Sequence, residues 1–218
     1  MENKLIYEFS SHKTDGEASL SNLLGSKGAN LAEMSKLGIE VPPGFTITTE
    51  VCNYFSHNNH LPDGLKEEIV NCVRNLESFS NKSFGEGKSP LLLSVRSGGM
   101  ISMPGMMDSI LNIGVNDENV GYLAETFSDE RFALDSYRRL IQMYSNVVLG
   151  VEHKRFEAVI ANKKRMDDVV SDADFNVDQL NWIINAYKNT VERFTGSEFP
   201  QDPYVQLLGA VEAVFRSW

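Results

Sequence analysis

Apolar residues recur at helical spacing through much of the chain and alternate with polar ones only briefly. Gly28 to Leu37 reads as a helix that Gly38 ends, because a glycine just past the last turn takes the left-handed conformation at little cost. Pro42-Pro43-Gly44 is a turn, and Phe45-Thr46-Ile47-Thr48 alternates as a half-buried strand does. Asp63 is placed to cap the next helix, whose Leu65, Ile69, Cys72, Val73, Leu76 and Phe79 fall on one face. The polar, glycine-bearing stretch Asn81 to Ser89 reads as a loop. Leu91-Leu92-Leu93-Ser94-Val95 is a short continuous apolar run, the pattern of a buried strand.

The second half reads as almost purely helical. Ala133, Tyr137, Leu140, Ile141, Tyr144 and Val148 form one stripe; Leu180, Ile183, Ile184, Tyr187, Val191 and Phe194 form another. The second stripe has a start signal: Asn176 as N-cap, Gln179 three residues on, and Phe175 positioned to pack on Leu180 as a hydrophobic staple. Gly196 to Pro203, with two prolines, reads as a connection into a last helix over about Val205 to Phe215. The chain stops at Phe215-Arg216-Ser217-Trp218 with that apolar helix still in progress, so truncation of a longer protein is expected. There is no internal repeat and no low-complexity tract.

Composition narrows the class without naming an activity. The 218 residues are 42% hydrophobic and 23% charged, enough to bury a core and ordinary for a soluble globular protein. No apolar run approaches a membrane span, and MENKLIYEFS lacks the apolar stretch of a secretory signal. The two cysteines, Cys52 and Cys72, fall in helical patterns and read as reduced, buried thiols of a cytoplasmic protein. A net charge of −10 makes nucleic acid a poor partner, whereas a small polyanion can bind where a few cations and backbone N–H groups converge.

Two stretches have the residue types for that. In Ser94 to Asp108, SVRSGGMISMPGMMD, a strand runs into a loop bearing Gly98, Gly99 and Gly105, with Arg96 at the junction. Glycines let backbone N–H groups approach a phosphate closely, and arginine adds a fixed fork of donors. Met103, Met106 and Met107 favour a packed or mobile loop over a solvated one. On residue types alone the stretch reads equally well as a Gly-rich turn with its arginine in a surface ion pair. In Leu23 to Met34, LLGSKGANLAEM, Lys27 stands between Gly25 and Gly28 at a helix start, where a cation is electrostatically misplaced unless an anion joins it. A solvent-exposed lysine in a tight turn is the plainer reading. The spacing is not that of a P-loop.

Other chemistries do not hold. Asp172, Asp174, Asn176 and Asp178 mimic the first ligands of a calcium loop, but Val177 replaces the turn glycine and Ile183 the bidentate glutamate. His12, His57, His60 and His153 have no metal-ligand spacing, and His57 and His60 read as exposed loop residues. Arg138 and Arg139, adjacent on a helix, point to different sides and read as ion-pair formers.

Taken together, LLGSKGANLAEM, LGIEVPPGFTITTE, LLLSVRSGGMISMPGMMDSILNIGVND, RFALDSYRRLIQMYSNVV and EFPQDPYVQLLGAVEAVFRSW resemble the pyruvate, phosphate dikinase family, in that family's order and over nearly the whole chain. The resemblance implies an α+β fold: an incomplete ATP-grasp-like nucleotide-binding subdomain over 1–115 with 195–218, and a helical subdomain over 116–194. It implies phosphate contacts from Lys27 and Arg96, with Arg96 catalytic, and a phosphate-binding loop carrying Gly98, Gly99, Ser102, Gly105 and Asp108. It implies ATP, inorganic phosphate and Mg2+, a swivelling phosphohistidine domain in the same full-length chain, and a homodimeric full-length enzyme. Neither nucleic acid nor membrane is an expected partner. The magnesium ligands, the phosphohistidine and the pyruvate site are expected beyond residue 218, so this fragment alone is expected to be inactive. Ser26 stands where many relatives have glycine, and Gly98-Gly99-Met100-Ile101 lacks a basic side chain that the family pattern carries. Two alternatives stand beside this reading: a phosphoenolpyruvate synthase-like dikinase that uses water in place of phosphate, and a non-catalytic helical interaction module.

Overall fold

The computed structural model describes residues 4–98 and 109–218. The architecture mixes helix and sheet, and the chain packs into two compact units. Of the described residues, the first holds 4–80, 96–98 and 214–218; the second holds 81–95 and 109–213.

The first unit is built on a two-stranded antiparallel sheet of β1 (Ile6–Phe9) and β2 (Gly44–Ile47), in register Ile6↔Ile47 to Phe9↔Gly44. Helix α1 (Ser21–Lys36) packs on both strands and on α2 (Thr49–Asn58). The end of α1 is a Schellman motif, with Gly38 N–H bonded to Ser35 O and Ile39 N–H to Met34 O, and Gly38 at φ 77°. Helix α3 (Leu65–Ser80) buries Leu65, Ile69, Cys72, Val73 and Leu76 as its spacing predicts. Phe79, expected on the same face, is 40% exposed and meets His12 edge-on. The strand alternation expected over 45–48 does not appear in the burial: β2 is half-buried throughout, and Thr48 is fully buried at the start of α2.

The second unit contains β3 (Ser83–Phe84) and β4 (Pro90–Leu91), a short parallel pair inside and just after the stretch expected to be loop. The apolar run at 91–95 is not one buried strand. It is divided between β4 and β5 (Leu93–Arg96), and β5, paired with β6 (Ser109–Ile113), alternates half-buried and exposed positions. The helices are α4 (Val120–Phe127), α5 (Glu130–Val147), α6 (His153–Asp167), α7 (Val177–Thr195) and α8 (Pro203–Arg216), whose last residues belong to the first unit. Asp129 caps α5 through Phe132 N–H, and Asn176 and Gln179 close a reciprocal capping box on α7. Tyr137, Leu140, Ile141 and Tyr144 of α5 and Leu180, Ile183 and Tyr187 of α7 form the helical core at 2% exposure or less. Phe194, expected in the α7 stripe, is 47% exposed beneath the Arg155 guanidinium.

The boundary expected at residue 115 falls inside this second unit. Polar side chains join the two sides of it: Gln206, fully buried, accepts from Gly114 N–H and donates to Val115 O, and Asn116 donates to Gln201 O. Separating 109–115 from the helices would leave these buried groups unpaired.

Candidate phosphate site on the broken helix

Helix α1 is not continuous. Gly25, at φ 68° and ψ 165°, breaks it, in a region of backbone space that is essentially open to glycine alone. The helical run resumes and carries Lys27, exposed, in its first turn. The expected helix from Gly28 is therefore the second half of a longer element that begins at Ser21.

The break is occupied by another part of the same unit. Beyond β5 the chain continues as Ser97, buried at 3% exposure, and Gly98. The Gly98 peptide lies so close to Gly25 that a Cβ there would stand 1.8 Å from the Gly98 carbonyl oxygen. The Lys27 ammonium donates to the Ser97 carbonyl oxygen at 3.1 Å. Arg96, one residue earlier, is the exposed last residue of β5. Lys27 is thus brought onto the main chain next to Arg96, although 69 positions separate the two in sequence (96 − 27). Neither cation has an ion-pair partner among the described residues. The plainer alternative, Arg96 in a surface ion pair, thus finds no support there.

Gly98 is half-buried, and a Cβ on it would make ordinary contact with the Leu24 carbonyl at 3.6 Å. Gly99, Ser102, Gly105 and Asp108 lie outside the described residues, as do Met103, Met106 and Met107. The sequence pattern does not mark the part played by Gly25 and by the Ser97 carbonyl. The available signal is a glycine inside a stretch otherwise fit to be helix.

The remaining candidates are structural in character. Arg138 is 5% exposed and donates to Asp135 at 2.8 Å and Gln142 at 3.2 Å, while Arg139 is exposed. Asp172 pairs with Lys164 at 2.6 Å, and Asp174 closes a capping box with Ser171. His57 sits on α2 rather than in a loop, with Nδ1 2.7 Å from Asn53 O. A cavity of about 580 Å3 opens in the second unit beside Val120, Ala124 and Asn181, but Glu125, Asp129 and Glu130 line it and no cation does. It is a poor seat for a polyphosphate. No helix among the described residues is long and apolar enough to cross a membrane.

Comparison with known proteins identifies relatives of the chain. Residues 21–84, which include the broken helix and Lys27, match the family profile described as pyruvate phosphate dikinase, AMP/ATP-binding domain. Over 216 residues the chain is 47% identical to pyruvate, phosphate dikinase of Rickettsia conorii, covering 99% of this chain and 24% of that protein. It is 46% identical to the protein of that name from Rhizobium meliloti, with the same coverage. With that from Clostridium symbiosum it is 46% identical over 217 residues, again 99% of this chain and 24% of the relative. The chain thus spans about a quarter of the length of the relatives it matches. By these relationships it belongs to the pyruvate, phosphate dikinase family and corresponds to the portion that bears the AMP/ATP-binding domain.

Proposed function

We propose that this chain is the nucleotide-binding part of a pyruvate, phosphate dikinase and that it holds the phosphates of ATP between Lys27 and Arg96. The observation that carries this reading is the Lys27–Ser97 contact, which sets the Lys27 ammonium on the main chain one residue from Arg96 at the helix break, neither cation having an ion-pair partner among the described residues. In the full enzyme the reaction is ATP, phosphate and pyruvate to AMP, pyrophosphate and phosphoenolpyruvate, by way of a phosphohistidine on a separate domain.

Phosphoryl transfer asks of such a domain positioning and charge neutralisation rather than a nucleophile. Arg96 supplies a planar fork of donors that matches phosphate oxygens, and Lys27 a compact point charge. Two polyanions side by side repel strongly in a partly dry cleft, so a second phosphate against the nucleotide needs such cations and the N–H groups around Gly98, Gly99 and Gly105. The ATP-grasp-like fold and the loop roles of Ser102 and Asp108 are part of the same proposal. Magnesium accompanies ATP in this chemistry. Among the described residues no three His, Cys, Asp or Glu side chains are grouped to hold a metal ion.

Titration of the purified chain with ATP tests the reading. Arg96→Ala and Lys27→Met should each weaken ATP binding roughly 10- to 100-fold, the loss of one charge-assisted contact of about 1.5–3 kcal/mol. Absence of ATP affinity in the unaltered chain, or affinity indifferent to both substitutions, would count against it. In the full-length enzyme, AMP formation should require added phosphate; equal rates without phosphate would point instead to a water-using synthase.

A further inference from the structure

We propose that Gly25 is a positioning residue for polyphosphate binding: by carrying no side chain it seats the Ser97–Gly98 main chain in the helix break and so fixes where the Lys27 ammonium stands. This rests on the functional reading above and assigns a role to a residue that touches no phosphate in it.

The argument is steric first. A Cβ on Gly25 would lie 1.8 Å from Gly98 O, 2.8 Å from Gly98 C and 3.3 Å from Gly98 Cα. All three are backbone atoms, so no rotamer change relieves the clash. The Gly98 peptide would have to retreat by more than 1 Å to reach the 3.0 Å that a real Cβ keeps from its neighbours. The carbonyl that receives the Lys27 ammonium at 3.1 Å belongs to Ser97, one peptide earlier on the same stretch of chain. A retreat of that size drags on the adjoining Ser97 peptide and so disturbs a contact that tolerates only a few tenths of an ångström. Lys27 is then released to solvent, and Arg96, one residue further back, loses its fixed relation to it. Gly25 therefore acts on phosphate affinity only through Lys27 and the segment it holds.

A positive-φ control without the steric clash exists at the end of the same helix. Gly38 also has a positive φ, 77°, but a Cβ there meets nothing within 4 Å. Gly38→Ala imposes left-handed strain on the end of α1 without displacing anything. The experiment compares the unaltered chain with Gly25→Ala, Gly38→Ala, Lys27→Met and the Gly25→Ala/Lys27→Met double variant, each followed by thermal melting, ATP titration and lysine-selective acylation under native conditions. Both glycine variants should melt lower. Gly25→Ala should weaken ATP binding tenfold or more and raise acylation of Lys27 several-fold, while Gly38→Ala leaves both as they are. In the Lys27→Met background Gly25→Ala should have little further effect on ATP, because the two substitutions disable one arrangement.

Additive losses in the double variant, or equal effects of the two alanines on ATP affinity and Lys27 acylation, overturn the proposal. Should the unaltered chain bind no ATP, the functional reading fails for the isolated chain, and the acylation pattern alone decides the positioning claim. Should Gly25→Ala not fold, the unaltered chain decides: Lys27 must acylate more slowly than the exposed Lys66, and equal rates sink the proposal.

Discussion

Single residues of the same type have opposite fates here, and burial with partners separates them. Arg138 and Arg139 are neighbours on α5, yet the first is buried between Asp135 and Gln142 and the second is exposed. Helical geometry predicts that divergence, since adjacent side chains are turned apart. The cysteines are alike in being buried, and burial pushes both thiols up to about 11. In the unfolded chain they titrate near 8.5. The folded chain thus keeps protons that the unfolded chain gives up. This contribution to stability is fully present below about pH 8.5 and is lost as the pH rises through 11. Urea denaturation across that range should show a fall on the order of a few kcal/mol, and a shallower one for Cys72→Ala. A flat profile would contradict the assignment. At pH 8 both thiols should also resist alkylation until the chain unfolds. Lys27 and Arg96 stood out in the sequence only through the family resemblance, since a cation near glycines reads as well as an ordinary surface residue. The acceptor that joins them did not, because it is a backbone carbonyl and every residue has one.

Elements were legible where their determinants are local. The capping box of α7 is written in Asn176 and Gln179, three residues apart, and the structure forms both bonds at 2.9 Å. Asn176→Ala should cost about 1 kcal/mol, read as a lowered midpoint in denaturant with unchanged slope. The stripes of α3, α5 and α7 follow from 3.6-residue periodicity, and they fail only at their ends, at Phe79 and Phe194, where the core no longer reaches. Helix α6 is faint in the pattern because its buried face amounts to Phe156 and Ile160 amid a mostly polar sequence. The strand pattern at 91–95 misled for a different reason. Whether an apolar run is buried on both faces depends on what pairs with it and covers it. For β5 the pairing strand is β6, and no spacing within 91–95 encodes that.

At the scale of the whole molecule the sequence conveyed a mixture of helix and sheet and a helix-rich second half, but not the seam between units. Residues 109–115 belong with the helices because side-chain hydrogen bonds of Gln206 and Asn116 link positions roughly 90 apart within the second unit, and no local pattern encodes such pairings. A chain that matches 24% of its relatives' length should fold and bind nucleotide without completing their reaction. Incubated with ATP, phosphate and pyruvate, it should form no AMP that depends on pyruvate; such AMP formation would show that the portion alone suffices.

The first unit is assembled from three separated segments, and the last of them is Val214–Trp218. Phe215 places its ring 5.7 Å from that of Phe55, which is 3% exposed in the finished fold. Synthesis proceeds from the N-terminus, so residues 1–80 emerge while the next 133 are still to be joined. At 5–20 residues per second that interval lasts roughly 7 to 27 s. Throughout it the nascent unit lacks the Phe55–Phe215 contact, and for the first part of it the segment that fills the break at Gly25. The second unit, by contrast, has received every segment it draws from these 218 residues by Ala213. On the ribosome, then, the unit that begins first waits longer for its last segment within this chain, and it is this unit that a chaperone would meet with its apolar interior open.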